Sequence, residues 1–348
     1  MTEIARKPNR SRDVVQWLFA VAFVGAVAAT GRFSGLMNKA GLLYLAAGSV
    51  AAALMSFTGS EIATAFRLAA GRPGTEVSRL QSAYFWEAAA RNAWMLGALG
   101  SALNFTVTLS SESAGISTVA NGMIGSLLVV LYGLILAVLC LIPAMKLADQ
   151  SGPARPSPGK MGAGATTGRT ARTMISGRVL GYILFAAVMG LTVVFMMGGE
   201  PQNGPLPIGK VLFHGPAILI VIGGAIALAL FMGSAAGGRA LTLGFAMTGL
   251  IALLTGLIQA LFGFANRNLA DVASAVAFLI TSSSFSLLGL VAVAAPLEDR
   301  EIMEGRREKP GPFSRLLWAV FPLVTFIGLI LTFIMVVTPM QKSGAPLN

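Results

Sequence analysis

Long apolar segments recur along most of the chain, and each is near the roughly 20 residues that a helix needs to cross a bilayer. Of the 348 residues, 55% are hydrophobic and only 11% are charged, too few charges to coat a water-soluble protein of this size. Backbone groups in lipid must be satisfied within their own segment, which predicts helices and not strands. The predicted fold class is all-α, a polytopic membrane protein with nine spans. We place them at 14–30, 41–57, 86–109, 116–145, 179–198, 216–232, 243–264, 272–296 and 313–338.

Eight of these spans form a four-span unit that occurs twice. The matching segments are 97–104 with 249–256, 120–143 with 273–296, and 47–49 with 223–225. Residues 120–143 align with their counterpart without a gap. A repeat of four spans returns the chain to the side where it began, so two tandem copies of the same orientation are expected.

The repeat divides the chain into four parts. Residues 1–148 hold the first four-helix repeat, and 178–300 hold a second, shortened one. Between them, residues 149–177 form a basic segment rich in Pro, Gly and Ser, which cannot bury apolar area and is predicted to be a flexible cytoplasmic linker. Residues 301–348 comprise a charged loop and a ninth helix without a counterpart in the first half.

The chain has a formal net charge of +11, and its basic residues are placed unevenly on the two sides of the predicted spans, as in a signal for membrane topology. One face of the nine-span arrangement carries Lys7, Arg10, Arg12, Arg67, Arg72, Arg79, Lys146, Arg155, Lys160, Arg169, Arg172, Arg178, Arg239, Arg300, Arg306, Arg307, Lys309 and Arg315. The other face carries Arg32, Lys39, Lys210, Arg267 and Lys342. By the positive-inside rule the N-terminus is cytoplasmic and the C-terminus lies on the opposite side. Anionic lipids are expected partners and nucleic acid is not.

Small residues recur at helical spacing on four predicted spans. Lipid gives no hydrophobic drive for helix association, so close approach at small residues holds such helices together. The candidate helix-packing or partner-binding positions are Gly97, Gly100, Gly122, Gly125, Tyr132, Gly133, Gly223, Gly224, Gly249 and Gly256. These faces pack either within the chain or around a partner helix, and the sequence leaves both alternatives open.

The order of these small-residue motifs along the chain, found twice, resembles the MotA/TolQ/ExbB proton-channel family. The chain would then be a tandem duplication of the four-helix unit of that family. The first half carries the resemblance at Gly97, Gly100, Ser101, Asn104, Ala120, Tyr132, Gly133, Pro143 and Lys146-Leu147; the second half carries it at Gly198-Gly199 and from Pro216 to Ala225. The resemblance implies an oligomeric subunit of an ion-driven motor in a bacterial inner membrane, with a periplasmic C-terminus. It also implies a single-span partner that supplies an intramembrane carboxylate.

Conducting members of that family use one hydroxyl from the third span and one from the fourth. Here the first copy has Ser101 but Val130, and the second has Leu253 but Ser283, within Thr281 to Ser284. The resemblance therefore makes Ser101, Ser283 and Thr281 candidates for an ion path. Each half retains one hydroxyl position, which fits either a composite site or decay toward a non-conducting scaffold.

Other functional classes find less support. No Ser/His/Asp set, metal-ligand spacing or phosphate loop is recognisable, so we predict neither an enzyme nor a cofactor or metal site. A secondary transporter is disfavoured because no predicted span offers a charged or aromatic cluster at mid-depth. Glu87 and Arg91, four residues apart, are expected to pair on a helix surface. The remaining hypotheses are the motor subunit and a membrane scaffold that organises other membrane proteins.

Overall fold

The computed structural model describes residues 39–109, 116–150, 171–196, 215–232, 237–266, 269–304 and 312–342. The predicted span 14–30 and the middle of the predicted linker lie outside these residues. The described helices are α1 (Lys39–Ser56), α2 (Gly59–Ala69), α3 (Glu76–Leu109), α4 (Ile116–Gln150), α5 (Ala171–Met196), α6 (215–232), α7 (Gly237–Ala265), α8 (269–303) and α9 (Pro312–Lys342). Helix α6 contains a π turn at Leu219–Gly223, and α8 contains one at Leu290–Ala294.

The all-α class is confirmed, since no strand occurs among the described residues. Four helical segments in the described part of the chain are long and apolar enough to cross a membrane: Lys39–Ser56, Gly122–Ala148, Gly238–Gly263 and Ser274–Met303. Three shorter apolar helices cover Arg178–Leu191, Gly215–Ala227 and Leu316–Leu331. The described helices thus have membrane-protein character, while the count of nine spans stays a prediction.

Two antiparallel helix pairs dominate the packing. Helices α3 and α4 form what we call the first hairpin, and α7 and α8 form the second hairpin. Near the end of α3, Phe105 shares a buried cluster with Val272 and Val276 at the start of α8. At the opposite end, Tyr84 of α3 hydrogen-bonds to Asp299 of α8. The two hairpins therefore lie side by side, with their connecting turns at the same end.

Helix α9 packs against both hairpins. The indole Nε1 of Trp94 in α3 donates a hydrogen bond to the carbonyl oxygen of Ala319, at 3.2 Å. Towards α7, a Cβ built on Gly249 would lie 2.7 Å from Cζ of Phe321. The C-terminal helix is therefore part of the helix assembly of its own chain.

Several predicted helix boundaries were wrong. Helix α4 continues through Pro143 to Gln150, and α5 begins at Ala171, so both edges of the predicted 149–177 linker are helical. Helix α8 continues to Met303, beyond the predicted end of its span at residue 296. The π turn at Leu290–Ala294 immediately precedes Pro296, and its wider winding accommodates a residue that lacks an N–H group. The carboxylates of Glu298 and Asp299 do not end the helix because they are buried with polar partners.

A short helix lies in the connection between α1 and α3, between the predicted spans 41–57 and 86–109. Helix α2 begins with a capping box, in which the Thr58 hydroxyl accepts from the Glu61 backbone and the Glu61 carboxylate accepts from the Thr58 backbone. After it, Gly71 has φ of +85°, a conformation that glycine adopts without steric cost. The chain thereby turns from α2 into α3.

Candidate functional site

The first hairpin is closed at a contact between two glycines. A Cβ built on Gly133 would lie 2.8 Å from the Cα of Gly97 and 2.9 Å from the carbonyl oxygen of Ala93. Real side chains do not approach backbone this closely, so only glycine allows α3 and α4 to meet here. Further along, Nδ2 of Asn104 donates to the carbonyl oxygen of Gly122 at 3.0 Å and to Oγ of Ser126 at 3.2 Å.

The second hairpin is closed at the aligned positions. Gly249 lies directly against Ser286, whose hydroxyl donates to the carbonyl oxygen of Phe245. A Cβ built on Gly256 would lie 2.9 Å from the Cβ of Leu279. The sequence alignment pairs Gly97 with Gly249, Gly133 with Ser286, Asn104 with Gly256 and Ser126 with Leu279. Both hairpins thus make their close contacts at equivalent positions.

The other predicted small-residue positions have different surroundings. A Cβ on Gly100 would meet the ring of Tyr44 at 2.5 Å, and one on Gly224 would meet Cγ2 of Thr248 at 2.6 Å. A Cβ on Gly223 meets no atom of the described residues within 4 Å. The remaining predicted positions are all half-buried: Gly122, Gly125 and Tyr132. Gly100 and Gly224 therefore pack against helices of their own chain, and within the described residues Gly223 does not.

The hydroxyls predicted for an ion path are all buried. Ser101 on α3 is 1% exposed, and Ser283 on α8 is 0% exposed. Neither Oγ has a hydrogen-bond partner in the described part of the chain. Thr281 is buried on the same helix as Ser283. Helices α3 and α8 pack against each other, and the pairing of Ser101 with Ser283 in one composite site stays a prediction.

A buried ion pair joins the two hairpins, and the sequence analysis missed it. Nη2 of Arg91 lies 2.8 Å from both Oδ1 and Oδ2 of Asp299. The Asp299 side chain is fully buried, and that of Arg91 is 11% exposed. The hydroxyl of Tyr84 donates to Oδ1 of Asp299 at 2.7 Å. On its other side the Arg91 guanidinium lies 4.4 Å from the ring centroid of Trp318 on α9, a cation–π distance.

Two further carboxylates anchor the same end of α8 to the start of α7. Oε2 of Glu298 accepts a hydrogen bond from Oγ1 of Thr242 at 2.9 Å. Oε1 of Glu301 accepts from the backbone N–H of Gly238 at 3.1 Å. Gly238 also lies directly against the backbone of Glu298, where a Cβ would not fit. Carboxylates at the N-terminus of α7 interact favourably with its helix dipole.

The predicted pairing of Arg91 with Glu87 was wrong. The structure pairs Arg91 with Asp299, 208 residues away in sequence, and not with Glu87. A usable signal was present, because an arginine within a predicted span is costly in lipid and requires a partner inside the protein. Asp299 was not considered because it lies beyond the predicted span 272–296.

This charge cluster is suited to holding helices together. Asp299 is held by the Arg91 guanidinium and the Tyr84 phenol, so its carboxylate is already engaged within the helix assembly. Within the described ranges, no group of three His, Cys, Asp or Glu side chains could hold a metal ion. Comparison of the chain with protein-family models, with curated proteins and with solved structures finds no match.

Proposed function

We propose that this chain is a subunit of an oligomeric, ion-driven, energy-transducing complex of the MotA/TolQ/ExbB type in a bacterial inner membrane. It works with a single-span partner that contributes an intramembrane carboxylate. The observation that carries the proposal is a pair of buried hydroxyls that have no hydrogen-bond partner among the described residues. They are Ser101 and Ser283, at the two positions that the family resemblance assigns to ion conduction.

An unpartnered buried hydroxyl has a cost that apolar packing would avoid. Leaving such a group unsatisfied costs about 1–3 kcal/mol, and alanine at either position would remove that cost. Serine at both positions fits a role in which each hydroxyl contacts a transported ion or a partner's carboxylate. Because Asp299 is engaged by Arg91 and Tyr84, we assign the carboxylate of the ion path to the partner.

The tandem arrangement is part of this proposal. Its support is the set of aligned contacts, in which Gly97 meets Gly133 and Gly249 meets Ser286. A third pair extends it to the preceding helices, where Gly48 lies against Leu96 and Gly224 against Thr248. We propose two four-helix units of the same orientation followed by α9, giving nine spans with a cytoplasmic N-terminus and a periplasmic C-terminus.

A non-conducting membrane scaffold is the second candidate. It is favoured by the glycine contacts, because Gly97, Gly133, Gly249 and Gly256 are closed against helices of the same chain and leave no groove for a partner helix at those points. The Arg91–Asp299 pair also fixes the hairpins to one another. A scaffold would use the outer helix faces to organise other membrane proteins.

Proton flux separates the two candidates. The complex, purified from its native membrane with any single-span subunit, is reconstituted into vesicles that contain a pH-sensitive dye, and a potential is applied. We expect flux in the wild type and its loss in the Ser101→Ala/Ser283→Ala double variant. Thr255→Ala is the matched control, since its hydroxyl bonds to the Ile251 carbonyl of its own helix, and it should conduct like the wild type.

The opposite results favour the scaffold. A purified complex without a single-span, carboxylate-bearing subunit and without flux would contradict the motor proposal. Unchanged flux in the double serine variant would show that Ser101 and Ser283 do not form a composite ion site. Conduction would then follow another path.

A further inference from the structure

We propose that α2 is an interfacial anchor that binds anionic phospholipid, with Phe66 at the lipid boundary and Arg67 and Arg72 at the headgroups. The proposal does not depend on ion conduction. It concerns the exposed face of Gly59–Ala69, a helix too short and too polar to cross a bilayer.

Helix α2 lies across the ends of several membrane helices. Its Ala65 belongs to one buried cluster with Phe85 of α3 and Ile302 of α8. Its Leu68 belongs to another with Leu147, close to the end of α4. Residues at the ends of α4 and α8 mark where these helices leave the apolar layer, so α2 lies at the level of the membrane surface.

Aromatic contacts fix the rotation of α2 about its axis. The ring centroids of Phe66 and Trp86 are 4.8 Å apart in an edge-to-face arrangement. Nε1 of Trp86 donates to the carbonyl oxygen of Ala65 at 3.4 Å. The capping box at Thr58 and the turn at Gly71 fix the two ends of the helix. Its outward face is therefore held in one orientation.

The outward face combines apolar and cationic groups. Phe66 is 56% exposed, and Ala63, Ala70, Arg67 and Arg72 are exposed beside it. Arg67 bonds within its own helix, from Nε to the Ala63 carbonyl at 3.4 Å and from Nη2 to Oγ1 of Thr64 at 3.3 Å. These bonds aim the guanidinium along the surface and leave it accessible to solvent and headgroups.

Charge complementarity identifies the occupant of this face. Arg67, Arg72 and Arg79 outnumber Glu76 between residues 67 and 79, and exposed cations at a membrane surface attract anionic lipid. A large exposed aromatic group beside them matches the interfacial region, where an apolar ring and polar groups are both accommodated. A phospholipid with an anionic headgroup fits both features, whereas an acidic protein surface would not require Phe66.

The first test measures depth in the membrane. Cys140, the only cysteine of the chain, is replaced by serine, and single cysteines at Phe66, Leu134 and Glu76 are labelled with bimane in the full-length protein. The vesicles contain phosphatidylglycerol, phosphatidylcholine and nitroxide lipids labelled at shallow or deep positions. We expect shallow nitroxide to quench position 66 most and iodide in water to quench position 76. Deep nitroxide should quench position 134, which is exposed near the middle of the apolar segment Gly122–Ala148 of α4.

The second test measures lipid selectivity. Phosphatidylglycerol or phosphatidylcholine is titrated into the detergent-solubilised full chain, and Tm is followed. We expect a larger rise of Tm with phosphatidylglycerol, and an apparent affinity about fivefold lower for each arginine removed in Arg67→Gln and Arg72→Gln. Lys39→Gln removes an exposed cation at the start of α1, on the opposite predicted face, and should leave the titration unchanged.

Each of the following outcomes would overturn the proposal. If iodide and not lipid nitroxide quenches position 66, α2 faces water or a protein partner. If both lipids raise Tm equally, or if Lys39→Gln weakens the response as much as Arg67→Gln, the arginines of α2 do not form an anionic lipid site. A label at position 66 that is protected from both quenchers would indicate a protein occupant.

Discussion

The two hairpins each bring a pair of helices into close contact, but they do so with different residues. In the first, Gly97 and Gly133 bring the backbones of α3 and α4 together without any side chain between them. In the second, Gly249 meets Ser286, whose hydroxyl bonds to the Phe245 carbonyl of the facing helix. Two helices in lipid can therefore be held by close backbone approach alone or by approach combined with a hydrogen bond. The shared requirement is a glycine on the first helix of each hairpin.

The hairpins differ more at the end opposite their turns. Helix α8 ends with Glu298 and Asp299 fully enclosed by partners from α3 and α7. At the position aligned with Asp299, α4 carries Lys146, which is half-buried. The second hairpin is thus tied to its neighbours by buried charges, and the first contributes Arg91 and Tyr84 to that cluster. This asymmetry fixes how the hairpins are arranged side by side.

Removing the buried carboxylate should produce the largest effect. Asp299→Ala leaves the Arg91 guanidinium buried without its anion, and breaking a buried pair in this way costs about 3–5 kcal/mol. We expect a large drop in Tm, measured by tryptophan fluorescence in detergent micelles. The double variant Arg91→Met/Asp299→Leu removes both charges and should recover most of the loss. Equal instability of the single and double variants would show that the pair is not the source of the effect.

Filling the glycine contact of the first hairpin should have a smaller effect. Gly133→Ala places a methyl group 2.8 Å from the Cα of Gly97, which forces α3 and α4 apart and costs about 1–3 kcal/mol. Gly223→Ala is the control, because a Cβ there meets no atom within 4 Å in the part of the chain that the structure describes. It should be neutral or slightly stabilising, since alanine is the better helix former. Equal losses of Tm in the two variants would show that the close contact between Gly97 and Gly133 does not stabilise the first hairpin.

Removing the hydroxyl of the second hairpin should have the smallest effect. Ser286→Ala deletes the hydrogen bond to the Phe245 carbonyl, and such bonds between membrane helices are worth about 0.6 kcal/mol on average. The measurement is again the shift of Tm, now against Thr255→Ala, whose bond lies within one helix. A drop in Tm as large as that of Gly133→Ala would mean that the contact between α7 and α8 depends mainly on the Ser286 hydroxyl and not on the close approach of the two helices.

Local patterns predicted the helices well and their partners poorly. Apolar runs identified the helical segments of every described helix except α2, because bilayer length and internal hydrogen bonding act within one segment. Glycine spacing marked Gly97, Gly133 and Gly249, which the structure places at close contacts. The charge cluster could not be found in this way, since its two members are 208 residues apart. Because the charge cluster was not predicted, the predicted span of α8 ended at residue 296, before the acidic residues Glu298 and Asp299.

Helix α2 was missed for a related reason. Its residues are too polar for a span, and its capping box involves only Thr58 and Glu61. An aromatic group that packs on Trp86 decides its position, and this contact depends on the turn at Gly71. The hydroxyls of Ser101 and Ser283 were identified by family resemblance, and their burial without partners could not be read from sequence because it depends on how α3 and α8 pack.

The most direct test of the account is the sidedness of the two hairpins in the membrane. Single cysteines at Ser111, Asn266, Arg72 and Glu304, in a Cys140→Ser background, are exposed in intact cells to a maleimide that does not cross membranes. If the hairpins are like-oriented units of one membrane assembly, positions 111 and 266 will both react from outside, and positions 72 and 304 will react only after permeabilisation. Labelling of positions 111 and 266 from opposite sides would contradict the paired arrangement and the function proposed from it.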